Sequence, residues 1–250
     1  MLNLKNQVAL ITGGSRGIGR AIALRLAEYG ADIIINYVRQ RRDAEEAVAL
    51  IEAKGVRCLA VKANVAEEQQ LERMFAEIRE HHQALNILVS NAASGVLKPA
   101  MELTTRHWDW SININARALL ALSQYVAPMM TDGGRILAVS SIGAVRAIPN
   151  YTAVGASKAA LESLVRHLAV ELGPRGILVN IISAGVVDTD ALKKFPNRHQ
   201  LIGASLERTP LGRLTTPDDV ADTALFLCSP LAKMIHGQTV VVDGGYAIQG

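Results

Sequence analysis

Apolar residues along this chain fall into short runs separated by longer stretches in which they recur every three or four positions. Residues 8–11, 33–37, 57–62, 87–89, 134–139, 177–182 and 239–242 read as strands. The intervals between them read as helices: the stretch carrying Ile22 and Leu26 on one face, then 43–54, 67–81, 105–130 and 151–172, and a last one opening at Thr216-Pro217-Asp218-Asp219. That last start has a capping threonine, a proline in the first turn and carboxylates on the positive end of the helix dipole. Strands separated by helices predict an α/β fold, a doubly wound parallel sheet of about seven strands with right-handed crossovers and helices on both faces. Residues 190–209 break the rhythm. There Leu192, Phe195, Leu201 and Ile202 are interleaved with Lys193, Lys194, Arg198 and His199. The segment reads either as an insertion with an apolar underside, a lid over a hydrophobic substrate, or as an ordinary surface helix pair.

At 250 residues the pattern fits one domain over residues 1–250, with no repeat, low-complexity tract or linker to divide it. A formal charge of +3, without a basic stripe or interleaved aromatics, argues against a dedicated nucleic-acid binder and is compatible with an acidic partner. Cys58 and Cys228 stand singly in apolar segments, which predicts buried reduced thiols rather than a disulfide or a metal site. The opening residues lead straight into the first strand, and the apolar runs are shorter than a bilayer span or broken by polar residues. No signal peptide or membrane contact is expected, and the chain reads as cytoplasmic.

Candidate chemistry begins where the first strand meets Thr12-Gly13-Gly14-Ser15-Arg16-Gly17-Ile18-Gly19 and a helix. Strand, glycine-rich turn and helix form the context of a dinucleotide site, in which helix-start N–H groups approach a pyrophosphate. The fold is then Rossmann-like, and Gly13, Ser15, Arg16, Gly17, Ile18 and Gly19 are the cofactor-facing positions. At the end of the second strand, beyond Tyr37, no carboxylate is offered to an adenosine ribose. Arg39 and Arg16 could instead bracket a 2′-phosphate, which makes NADP(H) the expected cofactor; the alternative is that Arg39, Arg41 and Arg42 form a solvated helix start. Asn64-Val65 and Ser90-Asn91-Ala92-Ala93 lie at strand ends and could border an adenine or ribose, or be satisfied turns.

The 105–130 helix carries Asn113 and Asn115, poor helix formers that invite a reason, and the 134–139 strand runs into Ser140-Ser141. Tyr151 then stands seven residues before Lys158. On a helix this spacing is about two turns, so phenol and ammonium would share a face. The lysine would favour the phenolate and lower the phenol's pKa, as suits a group that stabilises an oxyanion. The competing reading is a surface tyrosine and a solvated lysine.

Together the Thr12-to-Gly19 turn, Asn91-Ala92, Asn115, Ser141, Lys158, Gly185 with Thr189, and Val242-Asp243-Gly244-Gly245 resemble the short-chain dehydrogenase/reductase superfamily over essentially the whole chain. One position departs from it. Most members carry the catalytic tyrosine four residues before the lysine, where this chain has Val154. The seven-residue offset, with Ala147-Ile148-Pro149-Asn150-Tyr151, is similar to enoyl-acyl-carrier-protein reductases. The glycine turn, Asn91 to Gly95, His107-Trp108-Asp109-Trp110 and Asp188 to Leu192 resemble their divergent, NADPH-using FabL-type branch.

The resemblance implies reduction of the C2=C3 double bond of a 2-enoyl thioester on an acyl-carrier protein, the alternatives being a 3-oxoacyl thioester ketoreductase or dienoyl reductase of the same superfamily, or an inactive NADP(H)-binding sensor. It implies Tyr151 and Lys158 as catalytic groups, with Ser141 and Asn115 beside them. Gly185, Val187 and Thr189 would meet the nicotinamide carboxamide and phosphates, and the assembly would be a homo-oligomer, dimer or tetramer. Lys193, Lys194 and Arg198 could meet the acidic carrier. The chemistry gives a reason for the offset, because hydride adds at C3 while charge collects on the C1 carbonyl oxygen. Three positions back along a helix shifts the phenol by roughly 4.5 Å, comparable to what the longer conjugated system needs.

Overall fold

The computed structural model describes residues 2–189, 192 and 198–249. Seven strands form one parallel sheet in the order 3-2-1-4-5-6-7: β1 (Val8–Thr12), β2 (Asp32–Tyr37), β3 (Cys58–Lys62), β4 (Ile87–Ser90), β5 (Gly134–Ser141), β6 (Ile177–Ala184) and β7 (Thr239–Val242). The helices are α1 (Gly17–Glu28), α2 (Arg41–Glu52), α3 (Glu68–His81), α4 (Thr105–Ile112), α5 (Ala118–Val126), α6 (Thr152–Leu172), α7 (Arg198–Arg208) and α8 (Pro217–Cys228).

The central strands are near-continuous runs of branched residues because both of their faces are covered. Leu10, Ile34, Leu88, Ile136 and Val179 point into one core with Phe75, Leu119, Leu122 and Val165. Their neighbours Ile11, Ile33, Ile35, Val89, Leu137 and Ile182 point into the other, with Ile22, Leu26, Ile51, Val220 and Leu225. Each such side chain contributes about 1.5–3 kcal/mol by leaving water. The strand order reverses between β1 and β4, so their carboxyl ends open the crevice in which such sheets bind ligands.

Three features differ from the sequence pattern. The expected 105–130 helix is interrupted: a π-helical turn, Asn113–Arg117, separates α4 from α5, and a 3₁₀ turn, Ala127–Met129, ends the run. The cause is Asn115, whose buried amide is drawn inward to partners outside the helix. Next, β5 ends at Ser140-Ser141 as expected, whereas β6 runs two residues past its apolar pattern because Ser183 and Ala184 stay in register with that pair. The third lies in 190–209, where α7 is the single α-helix among the described residues. Leu192 is buried, and Arg198 donates to both carboxylate oxygens of Asp188 at 2.9 Å. Lys193, Lys194 and Phe195, with the side chains of His199 and Leu201, lie outside the described residues. The start of α8 follows expectation, with Thr216 and Asp219 forming a reciprocal cap behind Pro217. Among the described residues no helix is long and apolar enough to cross a membrane, and no cluster of side chains is arranged to hold a metal.

Candidate active site

Two close approaches shape the glycine-rich turn between β1 and α1. Gly13 and Gly17 have φ of +64° and +53°, left-handed values that suit glycine. A side chain at Gly19 would run into the Gly13 carbonyl and the Asn91 amide. Asn91 clamps the turn, its Nδ2 donating to the carbonyls of Thr12 and Gly13 at 3.0 and 3.3 Å. The Thr12 hydroxyl in return accepts the backbone N–H groups of Asn91 and Ala92, both at 3.0 Å. The end of β4 therefore holds the turn in shape.

The start of α1 is what the turn leaves available. Its first turn carries no carboxylate, and Arg16 supplies no side-chain cap. Helix-start N–H groups of this kind suit a phosphate, so the residues present fit the pyrophosphate of a dinucleotide. Ser15 is buried in the turn, and Ile18 packs partly into the core beneath it. Thr189, beyond β6, faces the turn, with its Cγ2 3.6 Å from where a Gly17 Cβ would project. Gly185 lies against Asp243 and Thr215, and Val187 bridges Thr215. At the end of β2 the buried Asn36 donates to the Ala63 carbonyl at 2.8 Å, Tyr37 is half-buried and Arg39 is exposed, with no carboxylate among them. Asn64 is held by Gln70 and caps Ala66, and Val65 is buried.

The second half of the site is the junction of β5 with α6. Tyr151 is the N-cap of α6 rather than a residue inside it, and its half-buried ring lies on Gly143 in the turn after β5. A Cβ at Gly143 would come within 2.5 Å of Tyr151 Cε1, so the ring has this seat only because residue 143 is glycine. The phenol donates to Ser141 Oγ at 3.5 Å, a long contact, while Ser141 Oγ accepts the Gly143 N–H at 3.1 Å. Lys158 is buried, and its Nζ donates to the Val139 carbonyl at 2.7 Å. One residue along β5, Ser140 donates to the buried Glu162 carboxylate at 2.6 Å.

Burial governs the ionisation of both principal groups. It lowers the Lys158 pKa to about 8, against the opposing pull of the Glu162 carboxylate. It raises the phenol of Tyr151, and the Ser141 hydrogen bond only partly offsets this. The expected lowering of the phenol by its lysine is therefore reversed in the protein alone, because Lys158 is turned to a backbone carbonyl and desolvation dominates. Asn115 is 1 % exposed and fully engaged. It accepts from Ser94 N at 3.0 Å and donates to Ser94 O at 2.9 Å and Ser157 Oγ at 2.8 Å. It thereby ties the loop after β4 to the head of α6.

Cradle, serine, tyrosine and lysine thus converge on the carboxyl ends of β1, β4, β5 and β6. The family model that matches residues 13–247 is described as enoyl-(acyl carrier protein) reductase. The chain belongs to the short-chain dehydrogenase/reductase family. Within it, the chain is 41% identical to a 1-cyclohexenylcarbonyl-CoA reductase of Streptomyces collinus over 98% of its own length and 88% of the relative's. It is 37% identical to a hydroxynaphthalene reductase-like protein of Metarhizium brunneum, over 97% and 96% of the two chains. Among solved structures, a 7α-hydroxysteroid dehydrogenase complexed with NADH and 7-oxo glycochenodeoxycholic acid superposes with a TM-score of 0.92. That likeness is at 35% identity and covers 97% of this chain and 95% of the other.

For this member of the family, the environment of Val154 is the informative departure. Val154 is buried, and its Cγ2 occupies the space a Gly95 Cβ would need. The Ser94-Gly95 loop is pinned there by Asn115 and by Trp110, whose Nε1 donates to Ser94 Oγ at 3.1 Å. Position 154 is closed by packing, and the phenol at 151 opens beside Ser141. Sequence reasoning missed Gly95, Gly143 and Glu162. The glycines carry no signal without their three-dimensional neighbours. Glu162 was visible as a carboxylate one helical turn beyond Lys158, between the buried Leu161 and Val165.

Proposed function

We propose that the protein reduces the C2=C3 double bond of 2-enoyl thioesters with NADPH. The observation that carries this reading is the exchange of positions at the head of α6: Val154 is sealed under Gly95, and the phenol stands at Tyr151 beside Ser141. A nicotinamide bound in the crevice would supply the hydride. The glycine turn and Thr189 would hold its phosphates, and Lys158 its ribose. Tyr151 donates a hydrogen bond to the thioester carbonyl oxygen, where charge gathers as hydride reaches C3, and the enolate then takes a proton from solvent at C2 to give the saturated thioester. Ser141 steadies the phenol from the end of β5. Asn115, with its amide fully engaged, acts by holding the Ser94-Gly95 loop over Val154.

The reading gains support from the Streptomyces collinus relative, named for a thioester whose ring double bond is conjugated to the carbonyl. That name favours coenzyme A as the handle; an acyl-carrier protein is the other, which the sequence resemblance suggested. NADPH rather than NADH rests on Arg16 and Arg39 and on the absence of a carboxylate at the end of β2. A carbonyl reductase is the second reading, favoured by the hydroxynaphthalene reductase-like relatives. The test is oxidation of NADPH and of NADH against matched crotonyl and 3-oxobutyryl thioesters on both handles. Reduction of the crotonyl esters with NADPH is expected. Reduction of the 3-oxo esters alone would overturn the proposal in favour of the carbonyl reductase.

A further inference from the structure

We propose that Glu162 is a positioning residue of this site: its buried carboxylate fixes the end of β5 through Ser140 and holds the Lys158 ammonium in register against the Val139 carbonyl. Three consecutive residues of β5 carry the argument. Val139 accepts from Lys158 at 2.7 Å, Ser140 donates to Glu162 at 2.6 Å, and Ser141 faces Tyr151 at 3.5 Å. The first two contacts come from one face of α6, because residues 158 and 162 are one helical turn apart. Helix and strand end are thereby bolted together at the two residues that precede Ser141. A carboxylate that is 7 % exposed is costly to bury unless it is paired or hydrogen-bonded, and this one has a serine hydroxyl and a nearby ammonium.

Glu162 is also the charged partner that acts on Lys158. The elements packed on α6 are β5, β6, the turn after β5, α4, the π-helical turn and the 3₁₀ turn Gly173–Arg175. On these elements Arg106, Asp109, Arg117 and Arg175 lie exposed, His107 and Arg135 are half-buried, and Tyr151 heads the helix. With burial pushing Lys158 down to about 8, the carboxylate keeps the ammonium charged near neutral pH.

The inference rests on the reading that Lys158 serves a nicotinamide dinucleotide, and its test avoids turnover. Protein carrying ¹³Cε-labelled lysine is titrated by NMR without cofactor in the parent, Glu162→Gln and Ser140→Ala, with Lys158→Arg assigning the signal. NADPH affinity is followed across the same pH range by fluorescence. Glu162→Gln keeps an acceptor for Ser140 and removes the charge. It should move the Lys158 midpoint, and the alkaline loss of NADPH affinity, down by about one pH unit. Ser140→Ala should leave the midpoint in place while weakening NADPH binding about threefold or more. The proposal is overturned if Glu162→Gln titrates like the parent. If that variant does not fold, unchanged NADPH affinity in Ser140→Ala overturns it. Enoyl and 3-oxo turnover is measured separately on the parent, so a missing enoyl reductase activity counts against the proposed reaction and not against Glu162.

Discussion

Tyr151→Phe is the most direct perturbation, because it removes one oxygen and leaves the ring on Gly143. The hydroxyl's contact with Ser141 is 3.5 Å long, and burial disfavours the ionised phenol, so little folding free energy is at stake. We expect the stability to change by less than about 1 kcal/mol. The effect on rate is another matter. A donor aimed at developing oxyanion charge in a partly dry site is worth about 2.7–4 kcal/mol of transition-state stabilisation, which predicts a fall in kcat of about 10²–10³-fold. KM should stay within a few-fold, since the lost interaction strengthens only as charge forms. Steady-state NADPH oxidation with a crotonyl thioester measures this, with NADPH affinity by fluorescence as the check that the cradle is intact. Turnover within about threefold of the parent would remove Tyr151 from the mechanism, because one oxyanion donor contributes far more than that.

Other expectations follow from the same geometry. Asn115→Leu strips the partners from the Ser94 backbone N–H and carbonyl, and urea denaturation should show a loss of about 2–5 kcal/mol. Lys158 has a folded pKa of about 8 against an ordinary 10.5, so above pH 8 the unfolded chain holds a proton that the native protein has released. Its contribution to stability therefore rises with pH, by up to about 1.4 kcal/mol per unit between pH 8 and 9, and Lys158→Met should abolish that slope in urea titrations. Above pH 9 the Cys58 and Cys228 thiols, pushed by burial to about 12 from 9.0, act with the opposite sign because the native state keeps protons that the unfolded chain loses. In the native protein both cysteines should react with iodoacetamide about a thousandfold more slowly at mildly alkaline pH than after denaturation.

The architecture was legible because apolar runs and helical spacing report burial directly. Every strand from Val8 to Val242 falls where a run of mostly apolar residues stands. The length of β6 was not legible because Ser183 pairs with Ser140 as strand without being apolar. The π-helical turn escaped for a related reason. Asn115 announced a departure from helix preference, but its direction is set by Ser94 and Ser157, which lie 21 and 42 residues away in sequence. The glycine turn could be read from type and order alone, since its neighbours β1 and α1 adjoin it. The expected lowering of the phenol pKa failed because spacing along a helix states which groups share a face and says nothing of what else they bond. Val139 takes the ammonium, and that contact depends on the register of β5 against α6.

That register also explains why the phenol stands where it does. A tyrosine at position 154 would point at the loop that Asn115 and Trp110 hold over the head of α6, where Val154 already fills the space beside Gly95. Relaxing the loop would cost the Ser94 contacts, which are also what turn Asn115 inward and interrupt the helix between α4 and α5. The π-helical turn, the pinned loop and the valine are therefore one packed unit. At the N-cap of α6 the backbone has not yet become helical, and Gly143 leaves a flat seat for an aromatic ring. A phenol placed there reaches Ser141 without disturbing that unit, and it stands farther from the body of α6 than one at residue 154 would. The same packing that closes the usual position thus leaves the displaced one as the seat for an acid beside β5, which suits an acceptor whose charge forms away from the carbon being reduced.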